Sequence, residues 1–198
     1  MLNWPDNILT LKERLDLLSV RDHAGKELDT NASFLQWKDI ACEIRTRKNT
    51  IFLIGNGASA SMASHVAADL AKNAHVHTQV FTDLSMITAV ANDLCFEQVY
   101  AEPLRRRMKE NDMLVAISSS GQSPNILLAT REALRLGGVV ITLSAMKPKN
   151  PLRTLGILNF YMPAESYGMA ETCHSAILHY WIDLVETTGE EEQGGINK

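Results

Sequence analysis

The chain has few cysteines, and they are widely separated. Cys42, Cys95 and Cys173 form no CxxC pair and no other cluster. This distribution argues against a disulfide framework and against a zinc site made of thiolates. The three residues are instead typical of small, partly buried core positions.

The sequence also lacks a long apolar run and an excess of positive charge. No apolar stretch approaches the roughly 20 residues of a bilayer span, and the N-terminal segment carries acidic residues early, unlike a targeting peptide. Its 19 Lys and Arg residues against 23 Asp and Glu residues give a formal net charge of -4. We therefore expect no nucleic-acid partner, no membrane partner and a cytoplasmic location.

The length and the patterning predict one globular domain with a helical N-terminal extension. With 198 residues, 45% of them hydrophobic, the chain can bury a sizeable core but has no room for two catalytic domains. Residues 1–48 predict a helical hairpin, with a polar loop before the candidate N-caps at 29–31. The main domain is expected over 49–187. The acidic, apolar-poor tail 188–198 predicts disorder.

From Thr50 onward, short apolar runs alternate with longer helical patterns, which is typical of βαβ units. Runs that are apolar on both faces need helices on both sides, so the sequence predicts a three-layer α/β/α sandwich around a five-stranded parallel sheet. The five strands are expected at 50–55, 77–82, 112–118, 138–145 and 157–163. Helices are expected at 58–73, 85–91, 96–109, 124–136 and about 168–187.

Two strand-to-helix turns are rich in glycine and hydroxyl groups. GNGASAS follows the first strand of this domain at 55–61, and SSSGQSPN follows the third at 118–125. Ligands bind beyond the carboxyl ends of parallel strands, where such turns point N–H groups and hydroxyls into one crevice. Ordinary turn and capping chemistry explains either turn alone, but the two together favour phosphate binding. The first turn matches neither a dinucleotide fingerprint nor a Walker A loop.

Acids and histidines lie on the helices near these turns. His65 and Asp69 are one helical turn apart, and Glu171, His174 and His179 are on the last helix. Glu171 and His179 are about 80° apart around the helix axis, close enough to share a cleft. The spacing fits three interpretations: a divalent metal site, a metal-free acid/base pair, or incidental polar residues.

Three smaller features are less specific. His75 and His77 fall on one face of the second strand, where they fit an edge or an interface better than a metal site. The arginines 105–107 end a helix, where positive charge is favourable. Asn92 and Asp93 follow the apolar stretch ITAVA and fit either a helix cap or the crevice.

Four segments, in this order and spacing, resemble the SIS (sugar isomerase) domain proteins, and among them the phosphoheptose isomerases. The resemblance covers about residues 30–187 and implies a flavodoxin-like α/β/α sandwich that assembles as a homotetramer. It also implies that sedoheptulose 7-phosphate and a glycero-manno-heptose 7-phosphate are interconverted for bacterial surface polysaccharide. The segments are GNGASASMASHVAADL, TAVANDLCFEQVYAEPL, AISSSGQSPNILLATREA and AETCHSAILHYWIDLVE.

The same resemblance implies which residues contact the substrate. The phosphate would be held by hydroxyls and backbone amides of the second turn, and the sugar by the first turn and by two polar residues farther along the chain. The phosphate-binding residues would be Ser118, Ser119, Ser120 and Ser123, and the sugar-binding residues Asn56, Gly57, Ala58, Ser59, Asn92 and Asp93.

The resemblance also implies a zinc site and catalytic residues. Zinc would be held by His65, Asp69, Glu171 and His179, and the last three would carry the proton transfer. Asp69 stands where the family usually has a glutamate that acts as the base, Glu171 where it has a glutamine, and Gly168 where it has an aspartate. The shorter Asp69 would sit farther from the substrate, and Glu171 would favour a metal but repel an enediolate.

Some relatives with this fold are regulators, which gives an alternative function. Such proteins bind a phosphosugar or a protein partner such as the replication initiator, and they catalyse nothing. The intact SSSGQS loop, His65 and His179 favour an enzyme, since a purely structural protein has no need of them.

The N-terminal helices predict oligomerisation. Their apolar positions exceed what a hairpin on the rim of a covered sandwich can bury in a monomer. We therefore expect a homotetramer in which residues of a neighbouring chain complete each site. The apolar positions include Leu9, Leu15, Leu18, Trp37 and Ile44.

Overall fold

A seven-stranded sheet is the middle layer of the protein, whose computed structural model describes residues 3–194, with side chains to residue 187. The strands are β1 Ser19–Arg21, β2 Glu27–Leu28, β3 Thr50–Gly55, β4 His77–Val80, β5 Met113–Ser118, β6 Val139–Ser144 and β7 Leu158–Tyr161. Their order across the sheet is β2-β1-β7-β6-β5-β3-β4. Strands β3 to β7 are parallel, which confirms the five predicted parallel strands.

The sheet has seven strands rather than five because β1 and β2 extend it at one edge. β2 lies in the segment that the sequence predicts as the polar loop of a helical hairpin, and β1 lies just before that loop. β1 pairs antiparallel with β7, with Val20 opposite Phe160, and Val20 is fully buried. Strands of two and three residues are too short to produce a recognisable alternation of apolar and polar residues, so the sequence pattern does not indicate them.

The described residues form seven α-helices, which cover both faces of the sheet. α2, α3 and α7 contribute to the apolar core on one face, and α5 and α6 to the core on the other. In this part of the chain no helix combines the length and the apolar character that crossing a membrane requires. The helices are α1 Trp4–Asp16, α2 Thr30–Arg47, α3 Ala58–Lys72, α4 Leu84–Asp93, α5 Ala101–Arg107, α6 Pro124–Arg135 and α7 Tyr167–Gly194.

Two helix predictions differ from the structure. The stretch 96–109 divides into a short 3-10 turn, Phe96–Gln98, and the separate helix α5. α7 continues to Gly194, beyond the end at Thr187 that the sequence predicts. The last four residues of the predicted disordered tail lie outside the described residues.

Strand β5 shows why the sheet strands are continuous apolar runs. Every residue of Met113–Ser118 is buried. Val115 and Ile117 belong to the core on one face, and Leu114 and Ala116 to the core on the other. Because helices cover both faces, no polar side of the strand is needed.

The α2 helix packs into the core of its own chain. Trp37 is fully buried and stacks on Trp181 with ring centroids 4.0 Å apart, and Ile44 is 3% exposed. The expectation that these two residues need a neighbouring chain is therefore wrong. α1 has no buried residue, and its Trp4 and Leu9 are 73% and 60% exposed.

Candidate functional site

The serine loop, residues 118–123, connects β5 to α6. Gly121 has a φ of +62°, which favours glycine, and its N–H donates to the Ser118 carbonyl oxygen at 2.9 Å. Pro124 begins α6, and Ser123 precedes it without a side-chain hydrogen bond to the helix N–H groups. The Ser123 hydroxyl lies instead 3.4 Å from that of Ser118. The turn thus gathers hydroxyls at the N-terminus of a helix, where an anion is favoured.

The serine loop borders a cavity of about 160 Å³, the serine-loop cavity. Residues of both predicted glycine- and serine-rich turns line it, so the two turns converge as the sequence predicts. Of the described residues that line it, only Glu171 carries a charge, so hydroxyl and N–H groups face a ligand without any cation. The lining residues are Asn56, Ser59, Ile117, Ser118, Ser119, Ser120, Ser123, Tyr167 and Glu171.

Asn56 joins the two turns through an amide pair with Asn125. Its Nδ2 donates to Asn125 Oδ1 at 3.0 Å, and Asn125 Nδ2 donates to Asn56 Oδ1 at 2.8 Å. Asn125 is 2% exposed and also accepts the Ile126 N–H at 3.0 Å. The sequence pattern alone does not identify Asn125 as a site residue, because an asparagine in the first turn of a helix equally fits ordinary capping.

The remaining predicted substrate residues lie at or beyond the edge of the cavity. Gly57 and Ala58 are exposed at the start of α3, next to Asn56, but do not line the cavity. Asn92 and Asp93 are exposed at the end of α4, where Asn92 Nδ2 donates to Asp93 Oδ1 at 2.9 Å. Within one chain the structure does not bring Asn92 and Asp93 to the serine-loop cavity.

His65, Asp69 and His179 form a second cluster, the histidine group, between α3 and α7. The Nε2 atoms of His65 and His179 are 3.2 Å apart, and His65 Nε2 is 3.2 Å from Asp69 Oδ2. One potential ligand atom from each residue lies within 4.8 Å of the others. His65 and His179 also line an adjoining, mostly apolar cavity of about 230 Å³.

The hydrogen bonding of His179 favours metal binding. Its Nδ1 is 2.8 Å from the Ser175 carbonyl oxygen, which can only accept, so Nδ1 carries the proton and the Nε2 lone pair faces His65. Metal-ligating histidines usually hold their second nitrogen in this way. Two imidazoles and a carboxylate match the three protein ligands of catalytic zinc sites, so the residues present fit zinc.

Within one chain Glu171 is not the fourth member of the histidine group, in contrast to the set drawn from the sequence. It lines the serine-loop cavity, whereas His179 lines the other one. Eight residues separate them, and the helix rises about 12 Å over that length. The two side chains are close in angle around the helix axis, but the distance along the axis keeps them in separate cavities.

His174 is a core residue of α7. It is fully buried, and neither ring nitrogen makes a hydrogen bond of normal geometry. Burial lowers the pKa of His174 to about 4, and the neighbouring Ser144 backbone offsets only part of that effect. Of the three interpretations that the sequence allows, the structure favours the third for His174, a polar residue with no role in a metal site or an acid/base pair.

The other sequence features lie away from both clusters. His75 and His77 are exposed at the edge strand β4, and His75 has a φ of +54°. In the arginine run, Arg105 pairs with Glu102 at 2.5 Å and with Glu132 at 3.2 Å. Arg105 and Arg106 thus form ion pairs at the end of a helix.

Known proteins match both the sequence and the fold. The SIS domain family profile matches residues 27–145, more than half of the chain. The chain is 30% identical to the phosphoheptose isomerase of Campylobacter jejuni over 154 residues, which cover 75% of this chain and 82% of that protein.

Solved structures share the fold. The phosphoheptose isomerase of Neisseria gonorrhoeae superposes with a TM-score of 0.79 at 21% identity, covering 92% of this chain and 94% of that one. The NanR protein of Vibrio vulnificus, complexed with ManNAc-6P, gives 0.64 at 17% identity, covering 93% of this chain and 60% of NanR. At these identities the likeness to the structures concerns the fold alone. From the sequence matches, the chain belongs to the SIS domain family and is similar to its phosphoheptose isomerases.

Proposed function

We propose that the protein isomerises sedoheptulose 7-phosphate to a glycero-manno-heptose 7-phosphate, a step toward bacterial lipopolysaccharide. The observation that carries the proposal is the serine-loop cavity, where hydroxyl groups suited to a phosphate lie together with one carboxylate. The name of the Campylobacter jejuni relative, phosphoheptose isomerase, supports the same reaction.

The substrate phosphate binds at the serine loop. Ser118, Ser120 and Ser123 provide hydroxyls, and the N-terminus of α6 provides N–H groups and the positive end of the helix dipole. This arrangement binds a phosphate through hydrogen bonds and the helix dipole, without lysine or arginine.

Glu171 is the general base in our assignment. A base must lie within hydrogen-bond reach of the proton that it removes, and Glu171 shares the cavity with the serine loop. Asp69 is 3.2 Å from His65 and belongs to the other cluster. The Glu171 carboxylate takes the proton from the carbon beside the carbonyl, and the carbonyl oxygen gains a proton to form a cis-enediol. The proton then returns to the former carbonyl carbon, while the hydroxyl on the first carbon loses its proton and becomes the new carbonyl, so no oxidant or reductant is needed.

When the histidine group holds no metal, His179 Nε2 is a free acceptor and relays the proton between the two substrate oxygens. The distance of about 12 Å along α7 between Glu171 and His179 supports a site completed across subunits, with the histidine group of one chain beside the serine-loop cavity of another. His65, Asp69 and His179 hold the zinc ion in this proposal. When bound, zinc supplies Lewis-acid stabilisation of the developing enediolate oxygen.

We also propose a cytoplasmic homotetramer. The exposed apolar residues Trp4 and Leu9 on α1 and Leu84, Leu94 and Phe96 around α4 support contacts between chains. Sugar phosphates are made and used in the cytoplasm, which supports the proposed location.

Deuterium exchange tests the reaction and the base together. In D₂O, the wild type should place deuterium on sedoheptulose 7-phosphate and on the product, as followed by proton NMR. Glu171→Gln keeps the size of the side chain but removes the base, so the exchange rate should fall by about 100-fold or more. The matched control is Glu165→Gln, at an exposed residue that pairs with Arg14 and does not line the cavity.

Two outcomes would contradict these assignments. A wild type that binds ketose phosphates but exchanges no deuterium with any of them would be a phosphosugar-binding regulator instead. The likeness to NanR, whose structure holds a sugar phosphate, makes that the second candidate function. Full exchange by Glu171→Gln would show that another residue is the base.

A further inference from the structure

A second loop forms backbone hydrogen bonds with the serine loop. This support loop, residues 145–152, follows β6. Its Ala145 N–H donates to the Ser119 carbonyl oxygen at 3.0 Å, and its Leu152 N–H donates to the Gly121 carbonyl oxygen at 3.1 Å. Because a peptide unit is planar and trans, fixing these two carbonyls also fixes the N–H groups of Ser120 and Gln122 on the other side of each peptide plane.

Asn150 determines the shape of the support loop. It is 2% exposed, and its Nδ2 donates to Ser144 Oγ at 3.1 Å and to the Lys147 carbonyl oxygen at 2.9 Å. Its Oδ1 accepts the Arg153 N–H at 3.1 Å. One buried amide therefore connects the start, the middle and the end of the loop.

Asn150 also packs directly on the serine loop at Gly121. A Cβ atom added to Gly121 would lie 2.1 Å from Asn150 Oδ1 and 2.3 Å from its Cγ, far inside van der Waals contact. The Asn150 amide therefore occupies the space that a side chain at position 121 would need, and the positive φ of Gly121 also favours glycine there. Asn150 does not line the serine-loop cavity, so it acts on a ligand only through the loop.

The support loop is anchored to the rest of the sheet by Arg153. This residue is 5% exposed, and its guanidinium lies 4.1 Å from the centre of the Tyr161 ring. It donates to the Pro148 carbonyl oxygen at 3.0 Å and to Ser19 Oγ on β1. The loop that carries Asn150 is therefore held between β1 and β7.

We propose that Asn150 is a positioning residue that holds the backbone N–H groups of the serine loop in the orientation that binds phosphate. This inference rests on the proposed function only in placing phosphate at the serine loop. It does not depend on which sugar is isomerised or on which carboxylate is the base.

Calorimetric titration with inorganic phosphate, combined with steady-state kinetics on sedoheptulose 7-phosphate, tests the role. Asn150→Ala should raise the Kd for phosphate and the KM by about tenfold or more, because hydrogen bonds to an anion lose their alignment. The kcat should change by less than about threefold, since Glu171 on α7 is untouched. Asn150→Ser keeps a side-chain oxygen that can cap the Arg153 N–H but loses the Nδ2 donor, so its effect should be smaller, and it replaces Asn150→Ala if that variant does not fold.

Asn159→Ala is the matched control. Asn159 is also a fully buried asparagine, with hydrogen bonds to Thr142, Gly156 and Arg21, but it has none to the serine or support loops. It should lower the Tm at least as much as Asn150→Ala and leave the Kd for phosphate unchanged. Equal phosphate binding by wild type and Asn150→Ala, or an equal loss in Asn159→Ala, would refute the positioning role. A wild type that binds phosphate but turns over no sugar would refute the proposed reaction alone, whereas one that binds no phosphate would refute both.

Discussion

Replacing His174 with phenylalanine should remove a specific part of the acid sensitivity of the fold. The imidazole is fully buried without a hydrogen bond of normal geometry, and burial lowers its pKa from 6.5 to about 4. The unfolded chain therefore takes up a proton on His174 below about pH 6.5, whereas the folded chain does so only near pH 4. The stabilising contribution is complete above pH 6.5 and is lost as the pH falls toward 4.

The two pKa values set the size of the effect. The wild type should lose about 1 kcal/mol of unfolding free energy from this residue by pH 5.5 and about 2 to 3 kcal/mol by pH 4.5. Phenylalanine keeps an aromatic ring of similar shape and has no proton to take up. The difference in stability between His174→Phe and the wild type should grow by these amounts as the pH falls. The buried carboxylate Glu132, whose pKa the Arg135 hydrogen bond lowers, acts at lower pH and in both proteins.

Urea unfolding at fixed protein concentration, from pH 8 to pH 4.5, measures this difference. His23→Phe serves as the control, because it removes a histidine from the exposed turn between β1 and β2. Its stability should follow the wild type across the range. Parallel curves for wild type and His174→Phe would refute the account of His174 as a buried neutral residue.

Two further predictions concern the metal and the assembly. Protein purified without chelators should hold about one zinc per chain by elemental analysis, and Asp69→Asn should lower the content below about a tenth of a zinc per chain. Full activity in wild type that contains no zinc would refute the metal site. The double variant Trp4→Glu, Leu9→Glu places charge on the exposed face of α1 and should convert a tetramer into smaller species by light scattering. An unchanged mass would show that α1 is not at the contact between chains.

The sequence predicts the parallel strands and the serine loop well because their signals are local. β5 is buried on both faces, so its apolar run is unbroken, and the turn that follows it carries its own glycine and serines. The same holds for His65 and Asp69, one turn apart on one helix.

The features that the sequence does not predict depend on contacts between distant residues. β1 forms because it can pair with the edge of β7. Its own three residues are too few to show an alternation of apolar and polar side chains. The contact between Gly121 and Asn150 joins two loops, and nothing near either residue indicates the other. The separation of Glu171 from His179 follows from the rise of the helix, which an angular pattern omits.

The pairing of β1 with β7 has a consequence for biosynthesis. The Asn159 side chain on β7 donates to the Arg21 carbonyl oxygen on β1 across 138 residues of sequence. During translation β1 emerges early and stays without its partner until most of the chain has been made. Such distant contacts slow folding. Once β7 has been made, its edge stays open until β1 pairs with it, and during that time it can recruit a strand from another molecule. Defects in β1 should therefore appear first as a lower yield of correctly folded protein rather than as a lower melting temperature.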